Sequence, residues 1–364
     1  MADTNTIIGN DLKSIVYANS VSRRTFMSGF ATVAAAGVLF ALTGCNGSSP
    51  AASSAAEAES SAVVDDGYPS EVIRVLVPYA AGGNTDLNAR EVGNIIDAEK
   101  LLPTSFVVSN LTNQNTMEAT GGVANAEPDG YTLLCHHTAL LGINASGAGD
   151  VLYTDLEPVI ELATAPFVIV ANKESGLTTV DEITEYANAH PGELKIGYIG
   201  VGSTTHLAAA EFLQKAGIAD KVTPVSYNSG ADALNAQLSN EVQLRSSVGP
   251  DAARYITSGD LIGITVSGGG EADVWKGIPS WKDLGWDVDF YMSQGFWTTK
   301  GTPQEHIDVL VEAITAANQT DEYAKFCADN GMTPKWTPGP EWAPTLDALY
   351  NTCKEAFDSG ILEG

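Results

Sequence analysis

Two short stretches of the chain combine glycines, small polar residues and the start of a helix-like run. They are VPYAAGGNTDLNAR at residues 77–90 and IGYIGVGSTTHLAAAEF at residues 196–212. Glycine permits positive φ angles and lets the backbone come close to a ligand. The first turn of a helix leaves N–H groups without intrahelical acceptors, and its dipole favours negative charge. Each stretch therefore predicts a site that holds an anion through backbone amides.

The candidate ligand-binding residues in these stretches are small or polar. The first stretch supplies Gly82, Gly83, Asn84, Thr85 and Asp86, and the second supplies Gly200, Gly202, Ser203, Thr204, Thr205 and His206. Asn84 or Thr85 is predicted to cap the first helix, and Asp86 to orient the loop amides. An ordinary capped turn explains either stretch alone. Because the same design occurs once in each half, we interpret the pair as two corners of one cleft.

Catalytic, nucleotide and metal chemistry are poorly supported by the same residues. GVGSTT lacks the lysine of a phosphate-binding loop and the third glycine of a dinucleotide fingerprint. Asp220 precedes its strand instead of ending one, so a dinucleotide-dependent α/β enzyme is the weaker alternative. No GxSxG elbow surrounds Ser203. His136 and His137 are adjacent on a strand and point to opposite faces, so they cannot chelate one metal together. We predict no catalytic residue, no metal and no cofactor.

The elements that must position these residues alternate between strands and helices. Strands are predicted at residues 71–77, 105–110, 131–136, 166–172, 194–200 and 261–267, and helices at residues 85–101, 179–190, 203–217 and 306–318. This alternation predicts mainly parallel sheets covered by helices, an α/β fold. The ~295 residues after the N-terminal segments exceed one comfortable hydrophobic core, so two lobes are expected.

The N-terminal segment has the features of an export signal. SRRTFM (residues 22–27) places two arginines before an apolar run, and LTGC follows, ending at Cys45. The run is shorter than the roughly 20 apolar residues that a membrane span needs, although an uncleaved anchor helix is the alternative. Residues 1–44 resemble a twin-arginine lipoprotein signal peptide. Residues 45–70 would then be a lipidated Cys45 followed by a flexible linker rich in Ser and Ala.

Charge and cysteine usage limit the possible partners. The chain carries 18 Lys and Arg against 45 Asp and Glu, a formal net charge of −27. Such a surface repels nucleic acid and anionic lipid. Cys135, in an apolar run, is predicted to be a buried thiol. Cys327 and Cys353 are predicted on two C-terminal helices, and whether they form a disulfide is left open.

Four segments together resemble a known family. They are RVLVPYAAGGNTDLNAR (residues 74–90), VANAEPDGYTLL (residues 123–134), NAHPGELKIGYIGVGSTTHLAAAEF (residues 188–212) and GTPQEHIDVLVEAI (residues 301–314). They are similar to the substrate-binding receptors of tripartite tricarboxylate transporters, the Bug-type periplasmic receptors. The resemblance implies a two-lobed type II periplasmic-binding-protein fold with a two-strand hinge. Residues 71–168 and 293–364 would form lobe 1, and residues 169–292 would form lobe 2.

The resemblance also adds site residues and names partners. Matching positions bring Tyr79, Ala81, His137, Thr138 and Ser247 to the cleft. Three segments depart from the family pattern: NQNT (residues 113–116), SYNSG (residues 226–230) and the residues around Ser293 and Gln294. Arg90, Lys173 and Arg245 are the basic residues nearest to the site by position. The departures concern the identity of the ligand more than the fold.

These features predict a monomeric, exported lipoprotein on the outer face of the cytoplasmic membrane, or in the periplasm. It would capture a small carboxylate, such as a di- or tricarboxylate, and deliver it to the membrane permease subunits of a tripartite transporter. Ligand contacts to both lobes would stabilise a hinge closure. A receptor that presents its ligand to a sensor kinase is the alternative of a different class.

Overall fold

The computed structural model describes residues 67–113, 116–268, 270–288 and 290–359. The predicted signal peptide and the predicted lipidation site, Cys45, lie outside these residues, as does most of the predicted linker. The end of that linker packs on the fold, because the Tyr68 hydroxyl donates to the Gly130 carbonyl at 2.8 Å and its ring stacks on His306. Within the described residues, no helix has both the length and the apolar character needed to cross a bilayer.

Strands and helices alternate along most of the described chain. The strands are β1 (Ile73–Val77), β2 (Phe106–Asn110), β3 (Thr132–His137), β4 (Leu156–Asn172), β5 (Lys195–Ile199), β6 (Thr223–Tyr227), β7 (Leu244–Val248), β8 (Leu261–Val266), β9 (Tyr291–Thr299) and β10 (Thr333–Pro338). The helices are α1 (Asn84–Glu99), α2 (Met117–Ala124), α3 (Ala139–Ala145), α4 (Val180–Ala189), α5 (Thr204–Lys215), α6 (Gly230–Leu238), α7 (Gly249–Ser258), α8 (Gln304–Asn318), α9 (Asp321–Asp329) and α10 (Gly339–Asp358). All the predicted elements are present, and their ends are shifted by at most two residues except in β4, which begins at Leu156, ten residues before the predicted start at residue 166.

The strands form two sheets, which we call the first sheet and the second sheet. In the first sheet the order is β2-β1-β3-β9-β4, and β10 also pairs with β4. In the second sheet the order is β6-β5-β7-β4, and β8 also pairs with β4. Helices pack on both sheets. This is the predicted α/β class, in which the parallel strands of each sheet end at a common edge.

A single long strand, β4, belongs to both sheets. Its first part pairs with β9 up to Pro166, and its last part pairs with β7 and β8 from Phe167 onward. At about 3.3 Å per residue, its 17 residues span roughly 56 Å. From Val159 to Asn172 every residue is buried, because both faces of the strand are covered.

The sheets are mixed, whereas the sequence predicted mainly parallel sheets. Pairs β1–β2, β1–β3, β5–β6 and β5–β7 are parallel, as expected for strands joined through helices. Strand β4 carries the chain from the first sheet to the second. Strand β9 carries it back to the first sheet. Both therefore run antiparallel to their neighbours.

Helix packing follows the apolar periodicity of the sequence. On α1, Ala89, Val92 and Ile96 are fully buried, and on α8 the residues Leu310 and Ile314 are too. The three cysteines of the described residues, Cys135, Cys327 and Cys353, are buried free thiols, so Cys327 and Cys353 form no disulfide. Their burial raises the pKa of each thiol.

Candidate ligand site at the carboxyl ends of the parallel strands

The first corner, residues 79–86, joins β1 to α1 through a tight turn. The Gly83 amide donates to the Ala80 carbonyl at 3.1 Å, and Gly82 has a φ of 81°, in the left-handed region that favours glycine. The Gly82 amide donates to Oδ2 of Asp86 at 2.8 Å. Asp86 therefore holds the turn, which is the orienting role expected for it.

Asp86 is an anchor inside the protein and does not face a ligand. It is 1% exposed, and its Oδ1 accepts from Arg90 Nε and Asn110 Nδ2, both at 2.9 Å. Burial alone would raise the pKa of Asp86. Hydrogen bonds from Arg90, the Gly82 amide and Asn110 instead hold that pKa below its ordinary value. Arg90 is thus engaged by Asp86 and supplies no free charge for an anion.

The predicted cap of α1 was wrong by one or two residues. Helix α1 begins at Asn84, and its N-cap is Gly83, with no side-chain hydrogen bond to the helix. Asn84 instead points to β9, where its Nδ2 donates to Oε1 of Gln294 at 3.4 Å. Within the described residues, the N–H groups of Asn84, Thr85 and Asp86 have no acceptor. The positive end of the helix therefore remains available to an anion.

The second corner, residues 200–206, repeats the design between β5 and α5. Gly200 and Gly202 have φ values of 64° and 81°. Ser203 is the N-cap, and its Oγ accepts from the His206 amide at 3.2 Å. The Gly202 amide donates to Nδ1 of His206 at 3.1 Å. Thr205 Oγ1 accepts from the Ile199 amide at 3.1 Å, which fixes the corner to the end of β5.

His206 is a buried, uncharged acceptor. Its ring stacks on Tyr198 with centroids 4.1 Å apart, and burial lowers the pKa of His206 to about 4. Since Nδ1 accepts a hydrogen bond, the proton of the neutral ring is assigned to Nε2. His206 therefore plays the part in the second corner that Asp86 plays in the first.

A chain of contacts connects the two corners. Tyr79 stacks on His137 with centroids 4.9 Å apart, and His137 leads through Thr138 into α3. On α3, a Cβ at Gly142 would lie 3.3 Å from the Gly202 carbonyl and 3.4 Å from the Thr204 amide. His136 is fully buried, and its ring centroid lies 5.4 Å from that of Tyr79 and 5.5 Å from that of His137. Both histidine rings therefore lie beside Tyr79, whereas the alternation along β3 predicted that they point to opposite faces.

Besides His136 Nε2, four polar side-chain atoms near the first corner are buried and have no hydrogen-bond partner within the described residues. They are Tyr79 Oη, Asn84 Oδ1, Thr138 Oγ1 and Gln294 Nε2. Two contacts bring Thr138 close to Gln294. The Thr138 amide donates to the carbonyl of Ser293, the residue before Gln294, at 3.0 Å, and His137 on β3 pairs with Gln294 on β9. Buried polar groups are nearly always paired, so this cluster indicates a polar ligand.

Three of the residues expected at the site have other roles. Ser247 is fully buried, and its hydroxyl accepts from Arg245 Nη1 at 2.7 Å and donates to the Val248 carbonyl. Lys173 follows the end of β4 that pairs with the start of β7 and β8, away from the second corner. Ala81 is exposed on the outside of the first turn.

Two residues of the site were not identified as ligand-binding from the sequence. Gln294 was noted only as a departure from the family pattern, yet its Oε1 accepts from Asn88 Nδ2 at 2.8 Å and its Nε2 joins the unpartnered cluster. Asp251 lies in the first turn of α7, immediately beyond the carboxyl end of β7. Neither had a local motif to mark it. Within the described residues, no group of three or more His, Cys, Asp or Glu is arranged to hold a metal ion.

Comparison with known proteins places this architecture in a family. The model of the tripartite tricarboxylate transporter family receptor matches residues 89–340. Protein BugT of Bordetella pertussis is 28% identical over 275 residues, which cover 74% of this chain and 83% of BugT. A solved periplasmic transporter superposes with a TM-score of 0.72 at 26% identity, over 80% of this chain and 97% of the other.

A further solved structure shows the same fold. R. palustris Rpa4515, solved with adipate, gives a TM-score of 0.72 at 23% identity, over 80% of this chain and 98% of the other. The matching family and these structural neighbours are substrate-binding proteins and not enzymes. The chain belongs to the tripartite tricarboxylate transporter receptor family, whose solved members are periplasmic solute-binding proteins.

Proposed function

We propose that this protein captures a small carboxylate between the first and second corners and delivers it to the permease of a tripartite transporter. The observation that carries the proposal is the cluster of four buried, unpartnered polar atoms on Tyr79, Asn84, Thr138 and Gln294. Leaving such a group unpaired costs about 1–3 kcal/mol. A bound carboxylate offers several acceptor positions to the hydroxyl and amide donors among them.

Backbone amides supply the charge complement. The first-turn N–H groups of α1 and α5 are directed to the sheet edges from which the two corners leave, and residues 84–86 have no acceptor within the described chain. Each helix end contributes roughly 0.3–1 kcal/mol to anion binding, or up to ~2 kcal/mol when partly buried. Arg90 is occupied by Asp86, so the amides and hydroxyls are the main donors in this proposal.

The remaining parts of the proposal rest on the sequence. We place lobe 1 at residues 71–168 and 293–364 and lobe 2 at residues 169–292, so that the change of lobe falls where β4 changes sheets. Ligand-binding positions are proposed at the predicted residues of both corners, where the side chains of Asp86 and His206 hold the loops, and at His137 and Thr138, but not at the Ser247 hydroxyl. We further propose that Cys45 is lipidated and keeps the protein close to its permease.

The test is calorimetry and thermal unfolding of protein stripped of ligand by refolding from guanidinium. The probes are succinate, adipate, citrate, L-aspartate and 5-aminopentanoate, of which adipate occupies Rpa4515. At least one probe should raise the melting temperature and titrate with micromolar affinity, about −8 kcal/mol. If none of these acids binds, the proposed function is wrong.

Thr138→Val then tests the site itself. Because the Thr138 hydroxyl has no partner in the described protein, the isosteric valine should stabilise the unliganded protein by about 1 kcal/mol while weakening the bound acid roughly tenfold. The matched control is Thr120→Val, which removes a hydroxyl that donates to the Thr116 carbonyl at 2.9 Å. It should lower stability and leave affinity unchanged. Equal affinity in wild type and Thr138→Val would remove Thr138 from the site.

A further inference from the structure

Asp251 lies at the same edge of the second sheet as the second corner. It is in the first turn of α7, directly after β7, which pairs with β5. A Cβ at Gly230, the first residue of α6, would lie 3.7 Å from Asp251 Oδ2 and 3.5 Å from Ile199 at the end of β5. The carboxylate is therefore placed where β5 and β7 end, beside the start of two helices.

The Asp251 carboxylate has neither a hydrogen bond nor an ion pair within the described residues, although the side chain is half-buried. After burial, the negative charge of Asp251 is the largest cause that raises the pKa of Tyr79. Tyr79 Oη is one of the four unpartnered atoms, so the charge of Asp251 acts on a member of that cluster.

Arg245 supports the charge of Asp251 from within the second sheet. It is 1% exposed, its Nε donates to Gln237 Oε1 at 2.8 Å, its Nη1 donates to Ser247 Oγ, and its Nη2 has no partner within the described residues. Burial raises the pKa of Asp251, and the positive charges of Arg245 and Arg254 oppose that effect. No ion pair joins Arg245 to Asp251, so Arg245 favours the ionised carboxylate without occupying it.

The net charge of the whole protein also favours a ligand with an ammonium group over a dianion. A formal net charge of −27 disfavours the approach of a dianion, whereas a zwitterion has no net charge to repel. A ligand whose second group is a carboxylate would place that group against Asp251. A ligand whose second group is an ammonium would give Asp251 the hydrogen-bonded cation that a buried carboxylate requires.

We propose that Asp251 binds an ammonium group of the ligand, so that the cleft takes aminocarboxylates in preference to dicarboxylates. This inference rests on the proposed function, because the carboxylate of the ligand would lie in the first corner. Asp251 then acts as the residue that decides between the two ligand classes.

The experiment compares matched pairs of probes on the ligand-stripped full chain by calorimetry. Adipate is paired with 5-aminopentanoate and succinate with 3-aminopropanoate, so that within each pair an ammonium replaces one carboxylate. L-Norvaline is paired with pentanoate to cover an α-ammonium. In wild type, the aminocarboxylate of at least one pair should bind about tenfold tighter or more than its partner.

Asp251→Asn should reduce that preference at least about tenfold, by weakening the aminocarboxylate and strengthening the dicarboxylate. The matched control is Asp321→Asn, which removes the same charge from the first turn of α9, where the side chain is exposed. It should leave both affinities unchanged. Melting temperatures of the unliganded variants confirm that each is folded.

The outcomes separate this inference from the proposed function. If the dicarboxylates bind tighter than the aminocarboxylates in wild type, the inference is wrong and the carboxylate-binding function stands. The same conclusion follows if Asp251→Asn leaves the preference unchanged. If no member of any pair binds, both the inference and the proposed function are wrong.

Discussion

The backbone amide of Gly202 donates a hydrogen bond to Nδ1 of His206, four residues later, at 3.1 Å. The Gly82 amide makes the equivalent bond to Asp86 at 2.8 Å, and both glycines have a φ of 81°. Each corner therefore uses a side chain in the first turn of its helix to hold the preceding loop. One acceptor is a charged carboxylate and the other a neutral imidazole, so the two corners should respond differently to mutation and to pH.

Asp86→Asn should open the first corner. The amide group can place only one oxygen among three donors, so at least one of the Gly82, Arg90 and Asn110 groups loses its acceptor. We expect a loss of about 3 kcal/mol in the free energy of unfolding, measured by urea titration, together with weaker acid binding. Asp97→Asn, at an exposed position of the same helix, is the control and should cost less than about 0.5 kcal/mol. A similar cost in both variants would show that Asp86 does not anchor the loop.

Acid should destabilise the protein through its buried histidines. Burial lowers the pKa of His137 and of His206 to about 4, whereas an unfolded histidine has a pKa of about 6.5. The unfolded chain therefore binds protons first, and stability that is complete above about pH 6.5 is lost as the pH falls toward about 4. For one such histidine the loss between pH 7.5 and pH 5 is about 2 kcal/mol.

His206→Gln isolates this effect, because a glutamine oxygen can accept from Gly202 but does not titrate. The difference in unfolding free energy between pH 7.5 and pH 5 should shrink by about 2 kcal/mol in this variant. His190→Gln, in which the replaced side chain is 48% exposed, should retain the wild-type difference. The assignment of a neutral His206 fails if both variants keep the full pH dependence.

The two left-handed glycines should differ in their tolerance of alanine. Gly82→Ala pays only for the unfavourable backbone conformation, about 1–2 kcal/mol, since a Cβ there has no heavy atom within 4 Å. At Gly202 a Cβ would also lie 2.9 Å from Cζ of Phe357 and 3.1 Å from Cβ of Ser146. Gly202→Ala should therefore cost about 1–3 kcal/mol more.

A double-mutant cycle with Phe357→Leu measures that contact. In the Phe357→Leu background, the extra cost of Gly202→Ala should fall by at least about 0.5 kcal/mol. The cost of Gly82→Ala should not change in that background. If the losses in unfolding free energy from Gly202→Ala and Phe357→Leu are additive, the side chain at position 202 does not clash with Phe357 of α10.

The buried cysteines should be unreactive thiols. Because Cys327 and Cys353 are free and buried in the structure, a reducing agent should leave the melting temperature unchanged. Iodoacetamide should modify Cys135, Cys327 and Cys353 only after the protein is denatured, as measured by peptide mass spectrometry. No reductant should be needed for this modification, because the thiols are free. A disulfide-linked peptide containing Cys327 and Cys353 would contradict this prediction.

Hydrophobic periodicity predicted the helices and strands that carry a clear apolar face or an uninterrupted apolar run. The apolar faces of α1 and α8 and the apolar runs of β1 and β8 stand out in the sequence, and each is present in the structure. Strands β7 and β9 were missed, since LRSSV and YMSQGFWTT carry polar residues at positions that are fully buried. Those polar residues, such as Arg245, Ser293 and Gln294, are buried because they bond to one another or to other elements, which no local pattern reveals.

The sequence by itself determined the two glycine corners, the α/β class and the family, because each depends on residues close together in the chain. Glycines at positive φ, an N-cap serine and a first-turn acceptor act within about one helical turn. Only the tertiary structure decided which side chains face the candidate site. Tyr79, Thr138 and Gln294 come from three segments that the first sheet brings together, and Asp251 follows β7 of the second sheet. It also removed Arg90, Lys173 and the Ser247 hydroxyl from the site, since a charged or polar group binds whichever partner the fold places nearest.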